Sequence, residues 1–305
     1  MKITEKEIIN IVSKNTNFRE EIVVPIGEDA SVFLPKQDAY LVLTTDTMVH
    51  NTHFDSNITP YELGYIAAAS NISDLSAMGA KPAFALLNLT MQEPSENYIK
   101  ELIKGCNKIF KKFPVSIIGG DTTKGPLSVT FTLIGYTENN NFMKIDNAKS
   151  EDRIFISGLV GESFLSRKNN KYHLPKLRNQ LGILLSDYAN CCTDMSDGLL
   201  DSLNSILLKS NLGSKIIIDN IPINNNLKKE LDNKNLSWQD ILSYGEDYEL
   251  LFSVSPRKSN VLKKICDSIN LDIYEIGNFT KEKKTRFYKE GISIKLDMTK
   301  KFEHF

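Results

Sequence analysis

Six acidic segments in this 305-residue chain lie in Gly-, Ser- or Thr-containing stretches beside apolar, strand-like runs: Gly27-Glu28-Asp29-Ala30, Thr44-Thr45-Asp46, Asn71-Ile72-Ser73-Asp74, Gly119-Gly120-Asp121-Thr122-Thr123, Asp194-Met195-Ser196-Asp197-Gly198 and Gly245-Glu246-Asp247-Tyr248-Glu249. A carboxylate at the end of a buried strand costs several kcal/mol to desolvate unless a cation, a helix N-terminus or several donors meet it. Each could be structural, because Asp, Ser and Thr cap helices and close turns. Asp197, ahead of Gly198-Leu199-Leu200, could cap the helix that follows. Asp74 resists that reading: it falls inside an expected helix, on the stripe of Leu63, Ala67, Ser70 and Met78, where a carboxylate caps nothing.

An explanation shared by all six is convergence of oxygen donors on hard divalent cations, with Thr hydroxyls and backbone carbonyls completing the coordination. That chemistry favours magnesium, which usually bridges a few carboxylates to substrate phosphates. The four histidines, His50, His53, His173 and His304, form no H-E-x-x-H or Cys/His arrangement, so carboxylates must bind any metal. The Gly119–Gly125 segment reads as a flexible turn whose backbone can approach phosphate oxygens, with Lys124 as countercharge. It is no Walker A loop, and the chain has neither a kinase H-R-D/D-F-G set nor G-x-G-x-x-G. His53, seven residues beyond Asp46, either reaches a substrate or is satisfied in a loop, and His50 leans to the surface.

The elements that must carry these residues are legible in outline. Strand patterns occur at 31–35, 40–45, 84–91 and 127–136, with a strand at VSII. A helix starts at Thr59-Pro60 and stops at Gly79, and another runs through ENYIKELIKGCNKIFKKF. After the Asn-rich stretch between Thr137 and Lys149 a second α/β unit begins: strands RIFISG, KIIID and YELLFSV, helices SDGLLDSLNSILLKSN and Pro256 to about Ile269, and a strand-rich tail. The expected domains are 1–143 and 144–305, with 168–180 an exposed loop or a poorly ordered excursion.

Composition narrows the partners. With 37 basic and 38 acidic residues and a formal charge of −1, the chain lacks the basic excess of a nucleic-acid binder. No apolar run approaches the ~20 residues that span a bilayer, and MKITEKEIIN has no apolar secretion segment, so no membrane association and a cytoplasmic location are expected. Cys106, Cys191, Cys192 and Cys266 have no C-x-x-C spacing and are expected to be buried, reduced thiols.

In order along the chain, G-E-D-A-S-V, T-T-D-T-M-V-H-N-T-H-F, N-I-S-D-L-S-A-M-G-A-K-P, G-G-D-T-T-K-G-P-L-S-V-T, D-M-S-D-G-L, G-E-D-Y-E-L-L-F and the terminal K-F-E-H-F resemble the thiamine-monophosphate kinase family from about residue 25 to the last residue. The resemblance implies the aminoimidazole ribonucleotide synthetase-like α/β (α+β) fold: an N-terminal ATP/Mg-binding and dimerisation domain whose sheet pairs with that of a second subunit, and a C-terminal α/β domain. It implies a homodimer that transfers the γ-phosphoryl group of ATP directly to thiamine monophosphate with several magnesium ions, in the last step of thiamine diphosphate biosynthesis. Carried over by position, Asp29, Thr44, Thr45, Asp46, Asp74, Asp121, Asp194 and Asp197 match magnesium ligands. Gly120, Asp121 and Ser196 match nucleotide contacts, with Lys144 standing where the family has an Arg that could fork onto a phosphate. His53, Glu246 and Phe302 match positions near the thiamine phosphate; Phe302 could instead pack on its domain, and Glu246 could be a turn carboxylate. Asp29, Asp46, Asp74, Asp121 and Asp197 are the carboxylates whose loss should cost most activity.

The chain departs from the family pattern at Glu28 for Asp and at Tyr244 for Gly. Selenophosphate synthetases, of the same superfamily, carry a reactive Cys near the start, whereas the first cysteine here is Cys106. A regulatory binder descended from such an enzyme would have lost a carboxylate, and none is missing.

Overall fold

The computed structural model describes residues 3–26, 30–138 and 141–299. The chain divides into two compact units, Met1–Leu75 with Ala80–Asn141, and Ser76–Gly79 with Phe142–Phe305. Both are mixed α/β.

In the first unit, helix α1 (Glu5–Lys14) opens on a capping box in which Thr4 and Glu7 satisfy each other's backbone amides. Strands β1 (Ile22–Val24) and β2 (Val32–Phe33) form an antiparallel ribbon. Strand β3 (Ala39–Val49) leads to helix α2 (Pro60–Ala77), strand β4 (Lys81–Thr90), helix α3 (Glu96–Phe110) and strands β5 (Ser116–Thr123) and β6 (Ser128–Glu138). The sheet order is β3-β6-β4-β5; β4 and β5 are parallel, joined through α3, and the other pairs are antiparallel.

Helix α2 starts where the sequence places it. Thr59 and Glu62 exchange bonds, Thr59 N to Glu62 Oε2 at 2.8 Å and Glu62 N to Thr59 Oγ1 at 3.2 Å, and Pro60 occupies the first helical position. Gly79, at φ 72°, follows its end. Helices α2 and α3 cross at two glycines: a Cβ on Gly64 would lie 2.0 Å from the Leu102 carbonyl oxygen, and one on Gly105 2.0 Å from that of Tyr61. This close approach leaves Leu63, Ile72 and Leu75 fully buried.

The second unit runs β7 (Arg153–Ile156), α4 (Glu162–Lys168), α5 (Asn179–Leu185), β8 (Ala189–Asp194), α6 (Leu199–Ser210), β9 (Gly213–Ile217), α7 (Asn225–Asp232), α8 (Trp238–Leu242), β10 (Leu250–Val254), α9 (Pro256–Ser268), β11 (Tyr274–Thr280), β12 (Thr285–Lys289) and β13 (Ile292–Ile294). Among the described residues its seven strands are ordered β13-β12-β9-β11-β7-β10-β8, and only the β12–β9 pair is parallel. Alternation along β7 explains the layering. Ile154 and Ile156 face a core with Leu203 and Ile206 of α6 and Leu227 of α7. Phe155 faces the opposite core and stacks on Phe252, centroids 5.5 Å apart, beside Leu262 of α9. Covered on both faces, β10 is buried at every position and reads LLFSV, apolar but for Ser253.

All four cysteines are free and buried, as expected. Among the described residues no helix is long and apolar enough to cross a membrane.

Candidate active site

In the first unit the acidic residues concentrate on the α2 side of β3. Thr44 and Asp46 are two residues apart and share a face of the strand. Thr44 Oγ1 donates a short hydrogen bond to Asp74 Oδ2, across 30 residues of sequence. Asp74 is half-buried and caps nothing. Burial pushes its carboxyl up to about 6; the Thr44 hydroxyl opposes that shift, and the nearby charge of Asp46 adds to it. Strand alternation sends the neighbouring Thr45 to the other face, where its hydroxyl bonds Thr132 Oγ1 at 3.0 Å and the Phe131 carbonyl at 3.1 Å. Only a backbone carbonyl of Thr45 could therefore act with Thr44 and Asp46. Thr45→Val should leave turnover within about twofold of wild type, whereas Thr44→Val should lower it at least about tenfold. Steady-state rates on the two isosteric variants separate the hydroxyls.

Gly119, Gly120 and Asp121 differ from their sequence reading. They lie within β5, in register with Leu86, Leu87 and Asn88 of β4, and not in a flexible turn. The ladder shifts register between Ala85 and Leu86. Gly120, at φ 141°, lets the Leu87 backbone in so closely that a Cβ would sit 1.8 Å from its carbonyl oxygen. Asp121 is exposed on the rim of a cavity of about 540 Å³ that is also lined by Ile8, Val12, Asn88 and Gly120. His53 is half-buried; its Nδ1 accepts from the Val49 amide at 3.0 Å, which places any ring proton on Nε2.

In the second unit, β8 ends at Asp194, whose carbonyl accepts from Ser202 Oγ at 2.9 Å. The N-cap of α6 is Gly198, at φ 97° and without a capping side chain, so helix capping does not account for Asp197, which is exposed. The 244–249 loop is stitched to this turn by backbone bonds: Glu246 N to Ser196 O (2.7 Å), Tyr248 N to Met195 O (3.2 Å) and Met195 N to Glu249 O (2.8 Å). A Cβ on Gly245 would meet Ser196 O at 2.0 Å. Two sequence-distant motifs thus form one structural piece that displays Ser196, Asp197 and Glu246. Burial raises the Glu246 carboxyl and the Arg167 charge opposes the shift. Lys144 is exposed and ion-paired to Asp146 at 3.3 Å.

Sequence reasoning missed two groups here. Asp247, pushed up to about 6 by burial, accepts the amides of Gly161 and Ser163, and Arg178 forks onto Glu249 at 2.5 and 2.7 Å. Both carboxylates belong to the G-E-D-Y-E motif, but their partners lie far away in sequence. Asp29, with Glu28, and Phe302 lie outside the described residues. Among the described residues no three His, Cys, Asp or Glu side chains group as a metal cage. The donors brought together in the first unit are all oxygen, Thr44, Asp46 and Asp74, and a hard cation there would offset both the burial of Asp74 and its repulsion from Asp46.

Comparison with known proteins follows the same division. The family profile of the AIR synthase related protein N-terminal domain matches residues 27–137, and that of the C-terminal domain matches residues 148–290. The thiamine-monophosphate kinase of Buchnera aphidicola subsp. Acyrthosiphon pisum (strain APS) is 35% identical over 323 residues, covering 96% of this chain and 99% of its own. The crystal structure of thiamine-monophosphate kinase from Stenotrophomonas maltophilia K279a gives a TM-score of 0.84 at 28% identity, over 96% of this chain and 99% of that one. AaThiL complexed with AMPPCP and TMP gives a TM-score of 0.75 at 26% identity, over 89% of each chain.

Proposed function

We propose, from the premise that this chain belongs to the thiamine-monophosphate kinase family of AIR synthase-related proteins, that it transfers the γ-phosphoryl group of ATP onto the phosphate of thiamine monophosphate, giving thiamine diphosphate and ADP. As a member of that family it is an enzyme, a phosphotransferase. The observation that carries the reading is the oxygen-only constellation of Thr44 and Asp46 on one face of β3 with the half-buried Asp74 of α2 hydrogen-bonded to Thr44, whose negative charge a cation would offset.

Two anionic phosphates repel, so their meeting requires charge neutralisation and in-line alignment. Asp29, Thr44, Asp46, Asp74 and Asp121 in the first unit, and Asp194 and Asp197 in the second, are the proposed donors to several magnesium ions; Thr45 joins them through its carbonyl. Magnesium, when bound, supplies positive charge to the phosphate oxygens. Gly120, Asp121, Ser196 and Lys144 serve the nucleotide. His53, Glu246 and Phe302 serve the thiamine phosphate. The acceptor phosphate, with a second pKa near ~6, is already a competent nucleophile, so the chain needs only to position it. We assign nucleotide binding and dimerisation, through the sheet of β3 to β6, to residues 1–143, the second α/β domain to residues 144–305, and a cytoplasmic homodimer to the whole.

The test is purified protein with ATP, magnesium and thiamine monophosphate, followed by chromatography of the thiamine phosphates. Thiamine diphosphate should appear with one ADP per turnover, and a chelator should stop it. Phosphorylation of free thiamine but not of its monophosphate would overturn the substrate assignment.

A further inference from the structure

The 168–180 segment, which carries no core pattern in the sequence, leads to a cation with little exposure. Arg178, the N-cap residue of α5, has a side chain 14% exposed. It forks onto the buried Glu249, Nε to Oε2 at 2.5 Å and Nη2 to Oε1 at 2.7 Å. Ser157 Oγ, just beyond β7, donates to the same Oε2 at 2.5 Å and accepts the Leu250 amide at 2.7 Å. Gly158 closes over the pair: a Cβ there would lie 2.1 Å from Arg178 Nη2 and 2.3 Å from Glu249 Oε1. The backbone of Glu249 in turn reaches the turn that carries the proposed cation donors. Its carbonyl accepts from Met195 N at 2.8 Å, and the next residue, Leu250, is in register with Asp194. Ser196 and Asp197 follow Met195 directly. On the other side of Tyr248, which sits at φ 52°, Asp247 accepts the amides of Gly161 at 2.6 Å and Ser163 at 2.9 Å. Two carboxylates thus pin the loop, one on each side of a residue in the left-handed region, and the Met195–Asp197 turn hangs on the backbone between them.

A buried ion pair adds little net stability over apolar side chains of similar volume, because desolvating both charges offsets their attraction. What apolar side chains cannot supply is direction: a planar guanidinium meets both oxygens of a carboxylate in one fixed geometry. We propose that Arg178 is a positioning residue for the Asp194–Asp197 turn: through its fork onto Glu249 it fixes the carbonyl that holds the Met195 amide, and so sets how tightly the turn binds magnesium. This rests on the reading that Asp194 and Asp197 serve the cation.

Arg178→Met, Arg178→Lys and the double variant Arg178→Met with Glu249→Met test this. Two quantities are read for each: the melting temperature in chelator, and the free magnesium concentration that gives half of the magnesium-induced rise in melting temperature. The magnesium giving half-maximal rate at saturating ATP is measured beside them. Arg178→Met leaves a buried carboxylate without its cation and should melt about 10 °C below wild type. The double variant removes both charges and should return to within about 3 °C of wild type. Its magnesium midpoints should nevertheless stay at least about fivefold above wild type, because the fork is still absent. Arg178→Lys keeps the charge without the fork and should show the same rise of about fivefold. Midpoints within about twofold of wild type in either Arg178→Lys or the double variant would overturn the proposal. So would a double variant that melts as low as Arg178→Met, since the pair would then act through stability. If wild type responds to magnesium and Arg178→Lys matches it, this inference alone falls. If wild type responds to magnesium in neither rate nor melting, the cation reading falls and this proposal with it.

Discussion

Asp74→Asn is expected to lower turnover by at least about a thousandfold while making the metal-free protein more heat-stable at pH 8. The two effects have one cause. Asp74 is half-buried against Thr44 and near Asp46, so the folded protein holds its proton more tightly than the unfolded chain does, up to about 6. A carboxyl raised in this way favours the fold while protonated, below its unfolded value, and that contribution is lost as pH rises through about 6. At pH 8 the ionised group therefore costs on the order of 2 kcal/mol. Asn removes the charge and still accepts from the Thr44 hydroxyl. In chelator, the variant should melt about 3 °C above wild type at pH 8 and level with it at pH 4. Magnesium should raise the wild-type melting temperature and leave that of the variant in place. A variant that melts lower than wild type at both pH values would show that Asp74 supports the fold and is not a cation site in waiting.

Gly120→Ala is expected to be the most damaging single methyl in the first unit. Its φ of 141° is a conformation that alanine rarely adopts, and the added carbon would lie 1.8 Å from the Leu87 carbonyl oxygen, 2.5 Å from its carbonyl carbon and 2.7 Å from its nitrogen. These are backbone atoms of the adjacent strand, so relief requires β4 and β5 to part. Strain and overpacking together should cost about 3–5 kcal/mol, a fall of about 10 °C in melting temperature, with loss of stabilisation by ATP. Two controls separate the terms. Gly291, at φ 77° with nothing within 4 Å of an added Cβ, should lose only about 1 kcal/mol on change to Ala, from backbone strain alone. Gly119→Ala meets only the Leu86 Cδ2 at 3.1 Å and the Ser31 Oγ at 3.6 Å, side-chain atoms that can shift, and should be milder still than Gly120→Ala. Equal effects at 119, 120 and 291 would refute the close-approach argument.

What could be read in advance depended on the range of the interactions. Helix α2 was legible at both ends because its caps, Thr59-Pro60 and Gly79, act through adjacent backbone atoms. The long strands β3, β4 and β6 were legible from apolar patterning, although β3 extends beyond the 40–45 pattern to Ala39–Val49. Helix α1, with only Ile8 and Val12 buried, and α5 and the short α4, α7 and α8 were missed, because a helix of few turns carries too few apolar positions to declare its period. Strand β8 was missed because Ala189–Asp194, ANCCTD, takes its strand character from lying beside β10.

The sequence by itself determined the donor chemistry: oxygen ligands without a Cys/His set, a charge balance that holds anions only locally, and an ordered set of motifs that names the family. Tertiary structure decided which of those residues work together. It set Thr44 against Asp74 and turned Thr45 away, put Gly120 inside a paired strand, tied the Ser196 turn to Glu246, and fastened the Gly161 and Ser163 amides to Asp247 of the same loop. Caps, turns and donor types are properties of neighbouring residues, whereas the burial and partner of a charged side chain depend on packing between segments tens of residues apart, which local patterns do not encode.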